Sequence, residues 1–358
     1  MPDYDFRDLT LDHVKCYVAD VSSTAVELSD AYGFDSYAAS GFPDGRVSDA
    51  CSVALGTDRI RLVLCAPQTD DHPGRAYVAA HGDGVCDIAM RADDVRATFA
   101  EAVRRGARPV AEPVARDGIV TATIGGFGDV VHTLVQRPLD VDPRSLPGFA
   151  ILDRPGTATG VGLHEVDHFA VCVEAGWLDP TVSCYERTLG FEVVFEERIT
   201  VGAQAMNSKV VQSRSGTVTL TVLEPDPDRD PGQIDEFLKS HGGSGVQHIA
   251  FTSEHIVTSI DELRNRGVEL LITPDSYYDR LPGRIDLSKH SVGDLRRLNI
   301  LVDEDHDGQL FQIFARSTHP RRTFFFEVIE RCGATTFGSG NIKALYEAVE
   351  LESSKVSE

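Results

Sequence analysis

The sequence predicts an α+β protein of two similar halves, each built from a pair of βαβββ units. Three observations predict it: a strand-and-helix segment carrying a histidine that occurs twice, a strand-helix-strand segment that also occurs twice, and β-rich runs after each of them. The first segment is LDHVKCYVADVSSTAVELSDAYGF, Leu11 to Phe34, and its counterpart is VDHFAVCVEAGWLDPTVSCYERTLGF, Val166 to Phe191. Both read as a β-rich run, a polar break and a helix closing on Gly-Phe, where glycine can take the left-handed cap.

The second segment begins at Asp83 as DGVCDIAMRADDVRATFAEAVRRGARPV and returns at Ser244 as SGVQHIAFTSEHIVTSIDELRNRGVELL. Each has apolar residues at three- and four-residue spacing along its helix and an Arg-Gly cap at the end. Further β-rich runs, Arg59 to Cys65, Ile119 to Ile124, Thr217 to Leu223 and Gln309 to Phe314, complete the units. The Pro/Gly-rich stretch from Pro138 to Gly162 is the natural join. The expected division is therefore residues 1–150 and 151–358.

Composition narrows the function. A chain of 358 residues with 42% apolar content can bury two cores. Its formal charge of -22 repels phosphate backbones and anionic lipid, so neither nucleic acid nor a membrane surface is an expected partner. That charge leaves self-association open, and a homo-oligomer is possible. No run approaches the ~18 apolar residues of a membrane helix, and no basic flank and apolar stretch open the chain, so the cytoplasm is expected. Seven cysteines without C-x-x-C spacing argue against a disulfide framework or a structural zinc site.

Comparing the halves points to a metal. In the second half, His168 and His248 stand on the first strands of successive units, and Glu327 stands on a third candidate strand, Thr323 to Arg331. Two imidazoles and one carboxylate on converging strands would form a facial triad suited to iron(II), with positions left open for substrate and dioxygen. Alternation puts His168 on one face with Val166 and Ala170, and turns Asp167 to the other, making Asp167 a poor ligand. Glu327 and Glu330 must also face opposite ways, the one away from the cavity lying near solvent; parity alone does not say which one faces in. In the first half, His13 corresponds to His168, Asp87 to His248 and His132 to Gln312, so a second metal site there is conceivable.

The runs VDHFAVCV, GVQHIAF, LVDEDHDGQLFQIF, FFFEVIER and NIKALYEAVE resemble the 4-hydroxyphenylpyruvate dioxygenase family of the vicinal oxygen chelate fold. The resemblance covers nearly the whole chain in order. It implies glyoxalase-like half-open barrels, a degenerate first half without iron, and iron(II) held by His168, His248 and Glu327. It also implies an aromatic 2-oxo acid and O2 as substrates, with loss of carbon dioxide. One branch of the family then hydroxylates the ring and forms homogentisate; the other hydroxylates the benzylic carbon and forms 4-hydroxymandelate. Ile342 and Tyr346 stand where the homogentisate-forming enzymes usually carry phenylalanines, and Thr221 where they usually carry proline. These departures, with the run Val201 to Ser213, favour the benzylic branch.

As a pocket, Asn207, Ser208 and Thr221 can orient a phenol or carboxylate, and Phe195, Ile342 and Tyr346 can wall the ring. Gln312 reads as a polar contact near the metal. The last helix, roughly Ser339 to Leu351, follows a Gly-rich stretch and reads as a lid over a site that benefits from excluding water. The run Asp303 to Gly308 opens like a calcium loop, but Phe314 stands where that loop needs a glutamate, so a tight turn is the better reading. Competing functions are ring cleavage of a catechol on the same fold and ligand sequestration without a metal.

Overall fold

The structure, a computed structural model, describes residues 8–41, 48–142, 144–152, 159–338, 340–341 and 343. The first unit is β1 (Thr10–Tyr17), α1 (Val21–Tyr32), β2 (Asp35–Ser40), β3 (Ala50–Thr57) and β4 (Ile60–Pro67). After a linking helix α2 (Pro73–His81) comes the second, β5 (Gly84–Arg91), α3 (Val95–Arg104), β6 (Pro109–Arg116), β7 (Ile119–Gly125) and β8 (Val131–Gln136). A two-residue strand β9 (Ala150–Ile151) joins the edge of β2.

The second half repeats this: β10 (Leu163–Cys172), α4 (Leu178–Leu189), β11 (Glu192–Val201), β12 (Gln204–Gln212), β13 (Thr219–Pro225), then linking helix α5 (Gln233–His241) and β14 (Gly245–Ser253) with α6 (Ile256–Asn265). Here the fourth unit departs from βαβββ. Two short helices, α7 (Asp275–Arg280) and α8 (Val292–Leu298), stand before β15 (Leu301–Glu304), β16 (Gln309–Phe314) and β17 (Phe325–Cys332).

Two sheets result, with matching strand orders. The first runs β6-β7-β8-β5-β1-β4-β3-β2-β9 and the second β11-β12-β13-β10-β14-β17-β16-β15. In each, the first strands of the two units pair antiparallel at the centre, and each takes the last strand of its own unit as a parallel neighbour. The expected α+β class and unit pairing hold. The helices α2, α5, α7 and α8 are additions the periodicity did not predict, because each is nine residues or fewer, too short to show a repeat.

Local chemistry explains the helix ends. Asp20 caps α1 by accepting from the Ser22 and Ser23 amides. Gly33 and Gly190 end α1 and α4 at φ 69° and 67°, and a Cβ at Gly33 would also come within 2.6 Å of the Thr159 carbonyl oxygen. Aromatic packing then ties the halves together: Tyr32 lies edge-on to Phe326 at 5.0 Å, and Phe34 meets Phe251 at 5.6 Å. Among the described residues no helix is long and apolar enough to cross a membrane.

The linking helices meet through histidines. The His81 and His241 rings stack at 4.4 Å; His81 Nδ1 bonds the His241 carbonyl at 2.9 Å, and His241 Nδ1 bonds the Gly243 carbonyl at 3.0 Å. Burial, helped by the neighbouring His81, pushes His241 down from 6.5 to about 4. Between those values the unfolded chain binds a proton that the folded chain refuses, so stability is complete above 6.5 and is lost as pH falls toward 4. Urea unfolding from pH 7 to pH 4.5 is expected to show a loss approaching ~3 kcal/mol from this residue. In His241→Gln the loss over that window should shrink; an unchanged slope would remove His241 as its source.

Candidate metal centre

The register of the second sheet builds the site. On β10, His168 pairs with Ala250 of β14, and Ala170 pairs with His248. On the other side of β14, His248 faces Phe325 of β17, and Ala250 faces Glu327. Paired residues point to the same face, so His168, His248 and Glu327 meet on the concave wall of the sheet, with small alanines between them. Glu327 Oε2 lies 3.4 Å from His168 Nε2 and 3.1 Å from His248 Nε2. Donors about 2.1 Å from an octahedral ion stand about 3 Å apart in adjacent positions, so the spacing fits one ion.

Burial and charge agree with that fit. All three side chains are buried, and their ligand atoms lie within 4.8 Å of one another. Burial works against charge on His168, but the Asp167 and Glu327 carboxylates overcome it and push the imidazole up to about 9. Burial lowers His248. It also opposes charge on Glu327, yet the two imidazoles hold that carboxyl below its ordinary value. Glu327 Oε1 and His248 Nδ1 are buried with no hydrogen-bond partner among the described residues. An orphaned carboxylate oxygen beside two imidazoles is the donor set of a divalent cation.

Aromatic rings enclose the trio. Phe325 stacks on His248 at 4.9 Å, Phe314 meets it edge-on at 5.7 Å, and Phe337 stands edge-on to His168 at 5.3 Å. Phe195 reaches the site through Phe337, 6.4 Å away. Phe337 escaped the sequence reading because it lies beyond the last strand, in a loop without periodicity.

The other expected site residues divide. Thr221 pairs with Ala170 and Val210, which puts it on the concave wall, and its buried hydroxyl has no partner. Ser208 shares that face through its pairing with Leu223. Gln312 stands on β16 and its Oε1 accepts from Asn341 at 3.2 Å. Asn207 does not join them. It neighbours Ser208 on one strand, so it faces the helical side, where its Nδ2 donates to Glu224 at 3.3 Å. Ile342 and Tyr346, and nearly all of the expected lid helix, lie outside the described residues.

One expectation about a neighbouring acid needs correction, and the tight turn expected over Asp303 to Gly308 holds. Glu330 faces away from the cavity but not toward solvent: it is 2% exposed, bonded to Lys289, to His290 at 3.0 Å and to the Ile256 amide at 2.7 Å. Asp305 holds the turn before β16, accepting from the amides of Asp307, Gly308, Thr335 and Thr336, which accounts for the calcium-like run.

The first half does not assemble three ligands. Asp87 pairs with Val131 on β8 as His248 pairs with Phe325 on β17, so Thr133, not His132, occupies the place of Glu327. His132 turns to the opposite face and is satisfied by the Ile88 carbonyl at 3.0 Å and the Tyr185 hydroxyl at 2.6 Å. Thr133 donates its amide and hydroxyl to Asp87. Among the described residues, the remaining group close enough to share an ion is Asp305, His306 and Asp307, in that turn.

A duplicated, curled sheet with two imidazoles and a carboxylate on one wall defines a class. The glyoxalase/bleomycin resistance protein/dioxygenase superfamily matches over residues 165–313 and again over residues 12–122. The chain is 35% identical to 4-hydroxyphenylpyruvate dioxygenase of Dictyostelium discoideum, over 95% of this chain and 97% of that one. It is 33% identical to the enzyme of the same name from Yarrowia lipolytica, over 96% and 92%. A solved structure of a triple mutant of 4-hydroxymandelate synthase from Streptomyces coelicolor superposes with a TM-score of 0.86 at 40% identity, covering 96% of this chain and 99% of that one. The chain belongs to the 4-hydroxyphenylpyruvate dioxygenase family, and it is a dioxygenase.

Because a ligand that binds only the folded state stabilises it, Co(II) at 100 times its dissociation constant is expected to add about 2.7 kcal/mol to the chelator-treated protein. His168→Ala and Glu327→Gln should each abolish that gain, read as the metal-dependent rise in Tm. An equal rise in either variant would place the ion elsewhere.

Proposed function

We propose that this chain is an iron(II)-dependent dioxygenase that converts 4-hydroxyphenylpyruvate and O2 to 4-hydroxymandelate and CO2. The observation that carries this reading is the whole-length likeness to the 4-hydroxymandelate synthase structure at 40% identity, joined to a buried His168, His248 and Glu327 cluster on the concave wall. These three residues would hold the iron, which when bound supplies the oxidising chemistry and positions for substrate and O2. A divalent ion with two neutral imidazoles and one carboxylate carries a net charge of +1. That local charge draws an anionic 2-oxo acid into a protein whose overall charge is -22.

The residues around the cluster divide the remaining work. Phe195, Phe314, Phe325 and Phe337 exclude water and offer ring faces to an aromatic substrate. Thr221 and Ser208, on the same wall, can orient its polar end, and the unpartnered Thr221 hydroxyl is the stronger candidate. Which carbon receives oxygen depends on how this wall seats the ring, with Ile342 and Tyr346 included in the proposed pocket.

The deciding experiment is product analysis after incubation with 4-hydroxyphenylpyruvate, ferrous iron and O2. The two candidate products are isomers of equal mass, so chromatography against standards or aromatic proton NMR must separate them. 4-Hydroxymandelate is expected; homogentisate as the main product would transfer the chain to the ring-hydroxylating branch. Ligand binding in chelator without O2 uptake would instead indicate a sequestering protein.

Thr221→Val tests the pocket separately. Removing an unpaired buried hydroxyl should leave Tm unchanged or raised, while KM for 4-hydroxyphenylpyruvate rises roughly three- to tenfold, the worth of one hydrogen bond. An unchanged KM would remove Thr221 from the substrate contacts.

A further inference from the structure

Beside the candidate ligands lies a second arrangement, and it occurs in both halves. Where β10 pairs with β14 the register slips between Val166 and His168, so Asp167 is an extra, unpaired residue; β1 slips against β5 in the same way between Leu11 and His13, at Asp12. A bulge re-aims its side chain. Asp167 Oδ1 accepts from His168 Nδ1 at 2.8 Å, and Asp12 Oδ1 stands 2.7 Å from His13 Nδ1.

An arginine grips each aspartate from behind. Arg331 donates through Nε and Nη2 to the two oxygens of Asp167 at 2.8 and 2.9 Å, and Arg137 donates in the same two-pronged way to Asp12 at 2.7 Å for both. The third nitrogen of each holds the chain that follows. Arg331 Nη1 donates to the Ala334 and Thr336 carbonyls at 3.2 and 2.7 Å, and Arg137 Nη1 donates to the Ser145 carbonyl. The Arg331 guanidinium also lies 5.0 Å from the ring centre of Phe337, the ring that covers His168.

An imidazole that donates Nδ1–H to a carboxylate presents the lone pair of Nε2, the atom His168 turns toward Glu327. We propose that Asp167 and Arg331 are positioning residues: they fix the tautomer and direction of His168 toward the metal and tie the Phe337 cover to that ligand. The inference rests on the proposed metal site. The first half supplies its internal control, because it keeps the clasp without three assembled ligands, so Asp12→Asn measures what such a clasp contributes to folding alone.

The experiment compares chelator-treated wild-type, Asp167→Asn, Asp12→Asn and Arg331→Lys proteins, reading metal-free Tm and Co(II) affinity by calorimetric titration. Asp12→Asn and Asp167→Asn are expected to lower Tm alike, whereas Asp167→Asn alone should weaken Co(II) binding, by roughly ten- to a hundredfold. Arg331→Lys, which keeps the charge but loses the fork, should weaken Co(II) binding less than Asp167→Asn, and it carries the test if that variant does not fold. Wild-type affinity in Asp167→Asn, or an equal loss in Asp12→Asn, would overturn the positioning role while leaving the metal site intact. Wild-type protein that binds Co(II) no better than His168→Ala would overturn the metal site, and the positioning role with it.

Discussion

The pairing register of β10, β14 and β17 is the constraint on which everything else depends. The candidate ligands His168, His248 and Glu327 are 80 and 79 residues apart in the chain, and nothing local brings them together. What does is a diagonal: His168 opposite Ala250, Ala170 opposite His248, Ala250 opposite Glu327. A slip of one residue in either ladder would turn a ligand to the helical face. The alanines matter as much as the ligands, because their small side chains leave the space between three donor groups open. In the first half Lys15 stands where Ala170 stands, opposite Asp87. A long cationic side chain occupies the register position that the second half gives to an alanine.

The halves therefore diverge by filling. Leu146 and Phe149 from the segment after β8 pack with Ala38, Ala54 and Val63 of the first sheet, and Val141 packs with Ala89, Ile119 and Val135. Ala89 corresponds to Ala250, so apolar packing stands beside the first half's counterpart of the metal wall. Such packing stabilises through burial and asks for no ligand. The second half instead follows β17 with Ala334 against Ala250 and with Phe337 over His168, which leaves the donor atoms exposed to one another.

Much of this was legible in the sequence because it repeats. Repetition gave the α+β class and the pairing of units, though not the helices inserted in the fourth. Histidines on the first strands of two successive units, with a glutamate on a third strand, singled out His168, His248 and Glu327. What escaped was whatever alternation does not govern. Parity placed Asp167 away from the cavity, but the bulge turns its carboxylate to the back of His168 instead of into the helical layer. The available signal was the Asp-His pair present at both 12–13 and 167–168, with an arginine following the last strand's core at both 137 and 331. Ignoring alternation had the opposite cost: adjacent Asn207 and Ser208 cannot both stand on the concave wall, and Ser208 is the one that does. The assignment of His132 opposite Gln312 failed for a related reason, since strand order, not distance along the chain, decides which first-half residue stands in the place of Glu327.

Glu327 and Glu330 show how the fold separates stability from reactivity. Three residues apart on one strand, both are buried, yet Glu330 is met by a lysine, a histidine and the first amide of α6, while Glu327 keeps one oxygen unpaired. Among the described residues, three of the eight buried side-chain atoms without a partner belong to this wall: Glu327 Oε1, His248 Nδ1 and Thr221 Oγ1. A buried polar atom left without any partner costs on the order of 1–3 kcal/mol. A sheet this well packed could satisfy them internally, as the first half does when Thr133 donates to Asp87. On the concave wall Glu327 and Thr221 instead offer oxygens that an ion and a substrate could meet, while the two-pronged grip of Arg331 on Asp167 satisfies the acid behind His168.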